Sequence, residues 1–339
     1  MKMGTFIIRR LLLLIPVLLG VSILVFSLTR IGGDPAAAYI RENMTEPQIA
    51  AIYEKYHFNE AEHIQYWYWL TGIFQGDWGW SKAAHSPVTT AITEYFPATF
   101  ELTLISIIIA VFVGIGLGTI SAVKKDKPVD QATRVMALSG VSLPIFWLAL
   151  ILQYIFFLQL NWLPAINRYD TILYVNHPFT KYTGFYLIDT LLSGNSTMFV
   201  DVVKHLILPS LTLSFGTIAI ITRIMRSSML EVLGQEYVKT ARSKGLPEKV
   251  VIRKHARRNA LIPTTTVVGL SFGGLLGGAV LTESIFSWPG LGRWSTSAIL
   301  TNDSASILGF VLIVAIIYVI ANLVVDILYA YLDPRVRLG

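Results

Sequence analysis

The stretch from Glu236 to Pro263 reads EYVKTARSKGLPEKVVIRKHARRNALIP, and it carries eight Lys or Arg residues against two Glu. It lies between two of the most apolar segments of the chain. Within it, Gly245 suits the position after a helix C-terminus, and Pro247 suits the first turn of a new helix. The stretch is therefore predicted to form two short helices and a turn. Attraction to anionic lipid would explain the charge, but it would not require this stop and restart.

The composition predicts that most of the chain lies in lipid. Of 339 residues, 54% are hydrophobic and only 14% are charged, whereas a soluble domain has about 25% charged residues. Six segments are apolar and long enough to cross a bilayer, which takes about 20 helical residues. These segments are Leu11 to Leu28, Glu101 to Val123, Val135 to Leu160, Leu206 to Ile224, Pro263 to Leu281 and Ser306 to Tyr331. The predicted fold class is an all-α integral membrane protein with six transmembrane helices.

The basic residues predict the orientation of these helices. Lys and Arg collect on cytoplasmic flanks, and placing both termini in the cytoplasm puts most of the 27 basic residues there. The cytoplasmic location of the basic residues then explains the net charge of +6, and binding to nucleic acid is not needed to explain it. The first apolar run lacks a small-residue cleavage site, so it is expected to stay as an anchor. The chain contains no cysteine, which excludes disulfides and thiolate metal sites.

The predicted organisation has four parts, with a cytoplasmic loop at about 225–262 inside the third. They are an anchor helix at 1–28, an external region with short helices at 29–100, a five-helix core at 101–331 and a cytoplasmic tail at 332–339. In the external region Thr45 is an expected N-cap, with Pro47 just inside the helix. Ser86 and Pro87 are expected to begin a short helix that leads into the second span.

The sequence contains no motif for catalysis or nucleotide binding in the structural setting that such a motif requires. No lysine directly follows a glycine, so there is no G-x-x-x-x-G-K-[ST] phosphate loop. The six histidines show no H-E-x-x-H spacing, and the G-x-S-x-G pattern at Gly269 to Gly273 lies inside a predicted membrane span, not at the strand-to-helix turn of a nucleophile elbow. A membrane enzyme is therefore poorly supported, and no cofactor or metal is expected on this chain.

Asp326 is the one ionisable residue deep within a predicted span, and Asn322 lies four residues before it on the same helix face. Such a charge costs about 2.5 to 3.5 kcal/mol on insertion scales. One function to consider is proton-coupled secondary transport. It needs a carboxylate near mid-membrane, whereas Asp326 lies near the cytoplasmic end. A basic partner on another helix is the expected explanation.

The fifth span contains two rows of glycine. Gly269, Gly273 and Gly277 form one row, and Gly274 and Gly278 form the second. Each glycine in a helix costs about 1 kcal/mol relative to alanine, so five of them require a reason. They allow close helix packing, or they line a passage that changes shape, and both interpretations stay open.

Several stretches taken together resemble one family. EYVKTARSKGLP followed by RNALIP resembles the coupling loop of permease subunits of ATP-binding-cassette importers, in the dipeptide, oligopeptide and nickel branch. The likeness extends over nearly the whole chain through RIGGDPAAAYI, FPATFELT, SLPIFWLALIL, LTESIFSWPGLGRW and NLVVDILYAYLDPRVR. The superfamily motif is Glu-Ala-Ala, three residues and then Gly. Lys239, Thr240 and Ala241 before Gly245 stand at those positions, so the acidic residue is missing here.

The resemblance implies the fold of a type I importer permease, with partly helical external loops. It implies a second homologous permease subunit, two ATPase subunits that bind ATP and Mg²⁺, and an external solute-binding protein. The loop residues expected to contact the ATPase are Glu236, Tyr237, Lys239, Thr240, Ala241, Arg242, Ser243 and Gly245. The implied cargo is dipeptides or short oligopeptides, with nickel chelates, haem and oligosaccharides as alternatives. A purely structural membrane subunit is a further alternative.

Overall fold

The computed structural model describes residues 3–31, 34–40 and 44–332, and these are mostly helical. The first seven helices are α1 (Met3–Ile31), α2 (Glu46–Lys55), α3 (Glu62–Gln75), α4 (Val88–Val123), α5 (Pro128–Ser142), α6 (Ile145–Gln153) and α7 (Thr171–Asn176). The remaining helices are α8 (Tyr186–Leu192), α9 (Ser196–Leu233), α10 (Glu236–Ser243), α11 (Glu248–Val250), α12 (Arg257–Gly278), α13 (Val280–Ile285), α14 (Leu291–Leu300) and α15 (Ser304–Leu332). One hairpin pairs β1 (Trp80–Ser81) with β2 (Ser86–Pro87). A π-helical stretch at Tyr154–Gln159 extends α6, and another at Val251–Ala256 joins α11 to α12.

Four helices are long and apolar enough to cross a membrane. They are α4, α9, the continuous helix at Glu248–Gly277, and α15 over Ser304–Val324. A fifth span arises if α5 and α6 are counted as one bent span. Within the described part of α1, the apolar helix is Ile15–Arg30, which is shorter than the helices counted as spans. The described residues therefore support four or five spans, and the count of six stays a prediction.

Helix α9 lies at the centre of the bundle, and α4 approaches it closely through two glycines. A Cβ atom on Gly114 would lie 2.7 Å from the Ile221 Cγ2 atom. A Cβ atom on Gly118 would lie 2.7 Å from both the Met225 Cβ atom and the Thr222 carbonyl oxygen. Lipid supplies little hydrophobic force between helices, so close backbone packing of this kind contributes much of their association.

The third predicted span, Val135 to Leu160, is wrong as one straight helix. The chain breaks between α5 and α6, and the two helices are bent by 107°. Leu143 is extended, with φ −78° and ψ 130°, because a residue before proline is displaced from the helical conformation. Pro144 also lacks the N–H that would continue the helix. Both halves still pack on α9; in α5, a Cβ atom on Gly140 would lie 2.6 Å from the Ala219 Cβ atom.

The predicted start of the helix before the second span is also corrected. Ser86 and Pro87 belong to β2, and the Val88 N–H bonds to the Gly79 carbonyl at 3.0 Å. The backbone of Ser86 is paired in this β-hairpin, so it is not available to cap a helix. The helix therefore begins at Val88. It then continues as α4 to Val123 without interruption, so no separate short helix precedes the span. The predicted start of α2 is confirmed, because Thr45 is its N-cap.

The fifth span begins earlier than predicted. The helix that was expected to start at Pro263 starts at Glu248, so only the first of the two predicted loop helices is short. Val251, Ala256 and Ala260 are fully buried and pack against neighbouring helices, which explains why the helix extends through a basic segment. Packing thus overrides the polarity that suggested a later start.

We predict that the crossing of α4 and α9 does not tolerate one added methyl group at Gly118. Gly118→Ala should lower the melting temperature of the purified protein, because backbone atoms of α9 block the new Cβ. Overpacking of this kind costs about 1 to 3 kcal/mol. Gly116→Ala is the matched control, since a Cβ atom there has nothing within 4 Å. Equal melting temperatures for the two variants in detergent would contradict the proposed crossing.

Candidate coupling hairpin and glycine rows

Helix α10 and the turn after it form a hairpin at one end of the bundle, which we name the α10 end. Gly245 has a φ of +75°. Its N–H donates to the Arg242 carbonyl at 2.9 Å, and the Leu246 N–H donates to the Ala241 carbonyl at 3.4 Å. This bonding ends a helix on a left-handed glycine. The predicted helix stop at Gly245 is therefore confirmed.

A buried contact and an ion pair hold this hairpin in one shape. Val238 and Ala241 are buried against Val251, and the end of α9 packs on the same cluster. Across the turn, Arg242 donates two hydrogen bonds to Glu248, at 2.7 and 3.1 Å. An exposed pair of this kind contributes at most about 1 kcal/mol, but its two-pronged geometry restricts orientation. The hairpin is therefore a rigid protrusion rather than a linker.

The predicted contact residues lie mainly on the outer face of α10 and on the turn. The exposed ones are Glu236, Tyr237, Lys239, Thr240, Arg242, Ser243 and Gly245. Ala241 is buried instead and supports the hairpin from within. Lys239 Nζ lies 2.7 Å from a carboxylate oxygen of Glu236, and the Asn259 amide donates to the Tyr237 hydroxyl at 2.8 Å. The outer face thus combines charges, hydroxyls and one aromatic ring on a fixed support.

The hairpin stands on a junction of three helices. Ala122 of α4, Met225 and Met229 of α9, and Ala256 and Ala260 at the start of the fifth span form one buried cluster. Alanine lets the backbones approach, and the flexible methionines fill the gaps between them. Close-packed interiors transmit strain because they have few voids to absorb it. A displacement of α10 is therefore expected to reach α9 and α12 together.

A buried carboxylate fixes the same end of the bundle. Asp130 is fully buried and accepts hydrogen bonds from Arg226 Nε and Nη2 at 2.7 and 2.8 Å. It also accepts the Ser121 hydroxyl at 2.5 Å and the Asp126 N–H at 3.0 Å. Asp130 thus ties α4, α5 and α9 together. Sequence reasoning missed this group because Asp130 and Arg226 are 96 residues apart.

The first glycine row packs on another helix, and the second includes an open position. A Cβ atom on Gly273 would lie 2.7 Å from Tyr318 Cδ2, and one on Gly277 would lie 3.4 Å from Val314 Cγ1. Both contacts are with α15. Gly274 is exposed, and a Cβ atom there would have no atom of the described residues within 4 Å. The structure therefore gives a packing reason for the first row, and Gly274 is free to face a passage or a partner.

The other predicted polar and glycine positions are only partly described. Gly269 is buried and Asn322 is half-buried. The surroundings of Gly278 and of the Asp326 side chain lie outside what the structure describes, as does residue range 333–339. The basic partner expected for Asp326 therefore stays a prediction. Among the described residues, no group of three or more His, Asp or Glu could hold a metal ion.

At the opposite end of the bundle, Glu283 is a buried acid within the stretch LTESIFSWPGLGRW. Its carboxylate accepts the Thr99 hydroxyl at 2.6 Å and the Arg293 N–H at 2.9 Å. Burial nevertheless raises the pKa of Glu283 to about 7, since desolvation outweighs these bonds. Gly290 and Gly292 pack directly on the carboxylate, and a Cβ atom on Gly292 would lie 2.9 Å from it. The acid therefore organises the Pro-Gly turn and fastens it to α4.

A buried ion pair fastens a second loop to α4 at this end. Glu101 and Arg168 are 4% and 3% exposed, and their charged atoms are 2.6 Å apart. The Leu187 N–H donates to the same carboxylate at 2.9 Å, and the Arg168 guanidinium lies 3.6 Å from the centre of the Tyr186 ring. Removing one partner of such a pair typically costs about 3 to 5 kcal/mol. Sequence reasoning treated Glu101 only as the edge of a span and missed the pair.

These features define a multi-pass helical membrane protein with a rigid hairpin at one end and braced loops at the other. The chain belongs to the family of binding-protein-dependent transport system inner membrane components. The description of that family matches residues 114–338, and the description of its N-terminal region matches residues 3–103. The resemblance inferred from the sequence is therefore confirmed. The chain is a component of a transport system of the inner membrane.

Relatives match the chain over nearly its full length. The dipeptide transport system permease protein DppB of Alkalihalophilus pseudofirmus is 46% identical over 330 residues, which cover 97% of this chain and 98% of the relative. The protein of the same name from Escherichia coli strain K12 is 40% identical over 98% of each chain. The glutathione transport system permease protein GsiC of Salmonella choleraesuis is 35% identical over 99% of each chain.

We predict different results for leucine in the two glycine rows. Gly273→Leu should give a lower melting temperature than Gly274→Leu, because the new side chain meets Tyr318. The expected loss in free energy of unfolding is about 1 kcal/mol, the low end for overpacking, because Tyr318 is partly exposed and its ring can rotate. Gly274→Leu should raise the melting temperature slightly, because it removes the cost of about 1 kcal/mol of a glycine in a helix. Membrane insertion should persist in both, since leucine is favourable in lipid. Equal destabilisation by the two variants would contradict this assignment of faces.

We predict that Glu283 makes stability depend on pH. Its folded pKa of about 7 lies above the ordinary value of 4.5, so the folded state binds the proton more tightly. The stabilising contribution is fully present below pH 4.5 and is lost as the pH rises through 7, a change of roughly 3 kcal/mol. Glu283→Gln stays neutral, so its melting temperature relative to wild type should rise between pH 5 and pH 8. A difference that is constant with pH would contradict the prediction.

Proposed function

We propose that this chain is one of two permease subunits of an ATP-driven importer of dipeptides or short oligopeptides. The observation that carries this proposal is the rigid hairpin of α10, which packs on the end of α9 and on Val251 of the fifth span, next to the cluster that joins both helices to α4. An ATP-driven transport component that has no phosphate loop of its own needs a mechanical input from another subunit. The cargo follows from the near full-length similarity to permeases named for dipeptides.

In this proposal the chain has the six spans and the type I importer fold, with both termini in the cytoplasm. The outer face of α10 contacts one of two ATPase subunits, and those subunits bind the ATP and Mg²⁺. A second, homologous permease subunit completes the pathway. The solute-binding protein docks at the opposite end, where Glu101 and Glu283 brace the loops. That end must resist deformation when a large partner binds.

Closure of the ATPases is proposed to move α10, and α9 and α12 follow as one rigid body. The motion would open a route beside α9, where the break between α5 and α6 borders a cavity of about 250 Å³. Thr212, Gly216 and Thr217 line this cavity from α9. A peptide backbone needs polar partners inside the membrane, and irregular backbone at that depth is tolerated where it lines a cavity. The break supports a pathway at this position.

Reconstitution of the complete importer in proteoliposomes tests the function. We expect uptake of a labelled dipeptide that requires ATP, the solute-binding protein and this chain. Unlabelled dipeptides should compete, whereas nickel chelates, haem and oligosaccharides should not. Uptake driven by an ion gradient without ATP would overturn the importer assignment. Competition by one of the other compounds alone would overturn the cargo assignment.

We predict that the shape of the hairpin matters more than its net charge. Gly245→Val should uncouple ATP hydrolysis from uptake, because a β-branched residue resists a φ of +75°. The cause would be backbone conformation rather than crowding, since a Cβ atom at this position has nothing within 4 Å. Gly245→Asn should retain coupling, because asparagine tolerates this conformation. ATPase activity and uptake are measured together in proteoliposomes.

The control for charge is Lys249→Gln combined with Lys254→Gln, which removes two positive charges from the same segment. Exposed charges contribute weakly, so this double variant should transport at close to the wild-type rate. If it abolishes uptake while Gly245→Val couples normally, the hairpin is an electrostatic anchor and the mechanical proposal is wrong.

A further inference from the structure

A groove of about 760 Å³ lies between α5 and α9 at the α10 end. Its wall on α5 includes Gln131, Arg134, Leu138 and Val141. Its wall on α9 includes Arg223 and Ser227, among others. We name it the α5–α9 groove. It is separate from the cavity at the break between α5 and α6, and the proposed coupling mechanism does not use it.

The groove changes from polar to apolar along its length. Arg134, Leu138 and Val141 are spaced four and three residues apart, so they lie on one face of α5. Leu138 and Val141 are 69% and 55% exposed, which is high for aliphatic side chains. Arg134 is exposed one turn closer to the α10 end, and Arg223 lies across the groove. The groove thus has a cationic mouth and, further along its α5 wall, an apolar surface.

The two arginines at the mouth form no ion pair with another described residue, which is also true of Arg253, Arg257 and Arg258 at the same end. Among the described residues, Arg168, Arg226 and Arg242 each form an ion pair with a carboxylate. Neither Arg134 nor Arg223 forms an ion pair with any residue in that part of the chain. Asp130, the nearest acid along the chain to Arg134, is fully used by Arg226, Ser121 and the Asp126 N–H. Two uncompensated positive charges therefore face the same opening.

We propose that the α5–α9 groove binds an anionic phospholipid, with its phosphate between Arg134 and Arg223 and an acyl chain along Leu138 and Val141. Guanidinium groups bind phosphate in a two-pronged geometry. From residue 134 to residue 141 the helix rises about 10 Å, which fits within one leaflet of a hydrocarbon core about 30 Å thick. Basic pockets between helices on the cytoplasmic side suit anionic head groups. This assignment rests on the orientation in the proposed function.

The position of the groove gives the lipid a structural role. It lies beside the Asp130–Arg226 contact that ties α5 to α9, and Arg226 itself lines the groove. An acyl chain would cover exposed aliphatic surface on α5, and a phosphate would neutralise the mouth. A second permease subunit on this face would instead need carboxylates to pair with the two arginines. Experiment can distinguish a bound lipid from such a subunit.

The test uses the complete purified importer and native mass spectrometry after exchange into phosphatidylglycerol or phosphatidylcholine. Wild type should retain phosphatidylglycerol in preference to phosphatidylcholine. Arg134→Gln combined with Arg223→Gln should weaken retention roughly 30-fold, from the attraction expected for two basic residues near an anionic surface. Leu138→Ser should weaken it too, since it keeps the charges but loses acyl contact. Lys249→Gln with Lys254→Gln is the matched control, and it should retain the lipid.

Three results would overturn the proposal. The first is equal retention of phosphatidylglycerol by wild type and the double arginine variant. The second is displacement of the lipid by inorganic phosphate with no effect of Leu138→Ser, which would indicate a site for a free anion. The third is no retained lipid and a crosslink from a cysteine at Leu138 to the second permease, which would make this face a subunit interface. Because lipid retention is measured without uptake, each of these results leaves the proposed transport function standing.

Discussion

The close approach of helix backbones to α9 is the constraint on which the rest of the structure depends. Gly114 and Gly118 of α4 and Gly140 of α5 all meet α9 where a Cβ atom would overlap it. This closeness holds the start of α5 near α9, which makes the buried contact between Asp130 and Arg226 possible. It also brings the ends of three helices together beneath α10. Without these glycines the hairpin would have no rigid base.

Helix α9 links the two ends of the molecule directly. Its 38 residues make it about 57 Å long, which is longer than a bilayer is thick, so both ends project beyond the hydrocarbon. One end continues into α10 across two residues, and the other carries Asn195 as its N-cap beside the loop that Arg168 fastens to α4. A single helix therefore contacts the hairpin at one end and the braced loops at the other. This continuity gives a physical route for coupling between the proposed partners at the two ends.

Local signals in the sequence predicted some local features correctly, although the helix start expected at Ser86 and Pro87 was wrong. Gly245 was predicted correctly because a left-handed helix end depends on residues within one turn. The break at Pro144 was missed because apolar periodicity alone does not show which prolines a helix tolerates; α4 and α9 contain proline without breaking. The Glu101–Arg168 pair and the environment of Glu283 depend on contacts between distant segments. Such contacts leave no pattern in one sequence.

Distance measurements between spin labels in the working importer test rigid coupling most directly. This chain has no native cysteine, so labels at Glu231 and Thr240 report on it alone when the partner subunits are also cysteine-free. The distance between these two labels should stay constant when ATP binds, because the hairpin moves with α9. The distance from Thr240 to the equivalent helix of the second permease should change by several ångströms. A changing distance between Glu231 and Thr240, with no change between the permeases, would contradict rigid coupling.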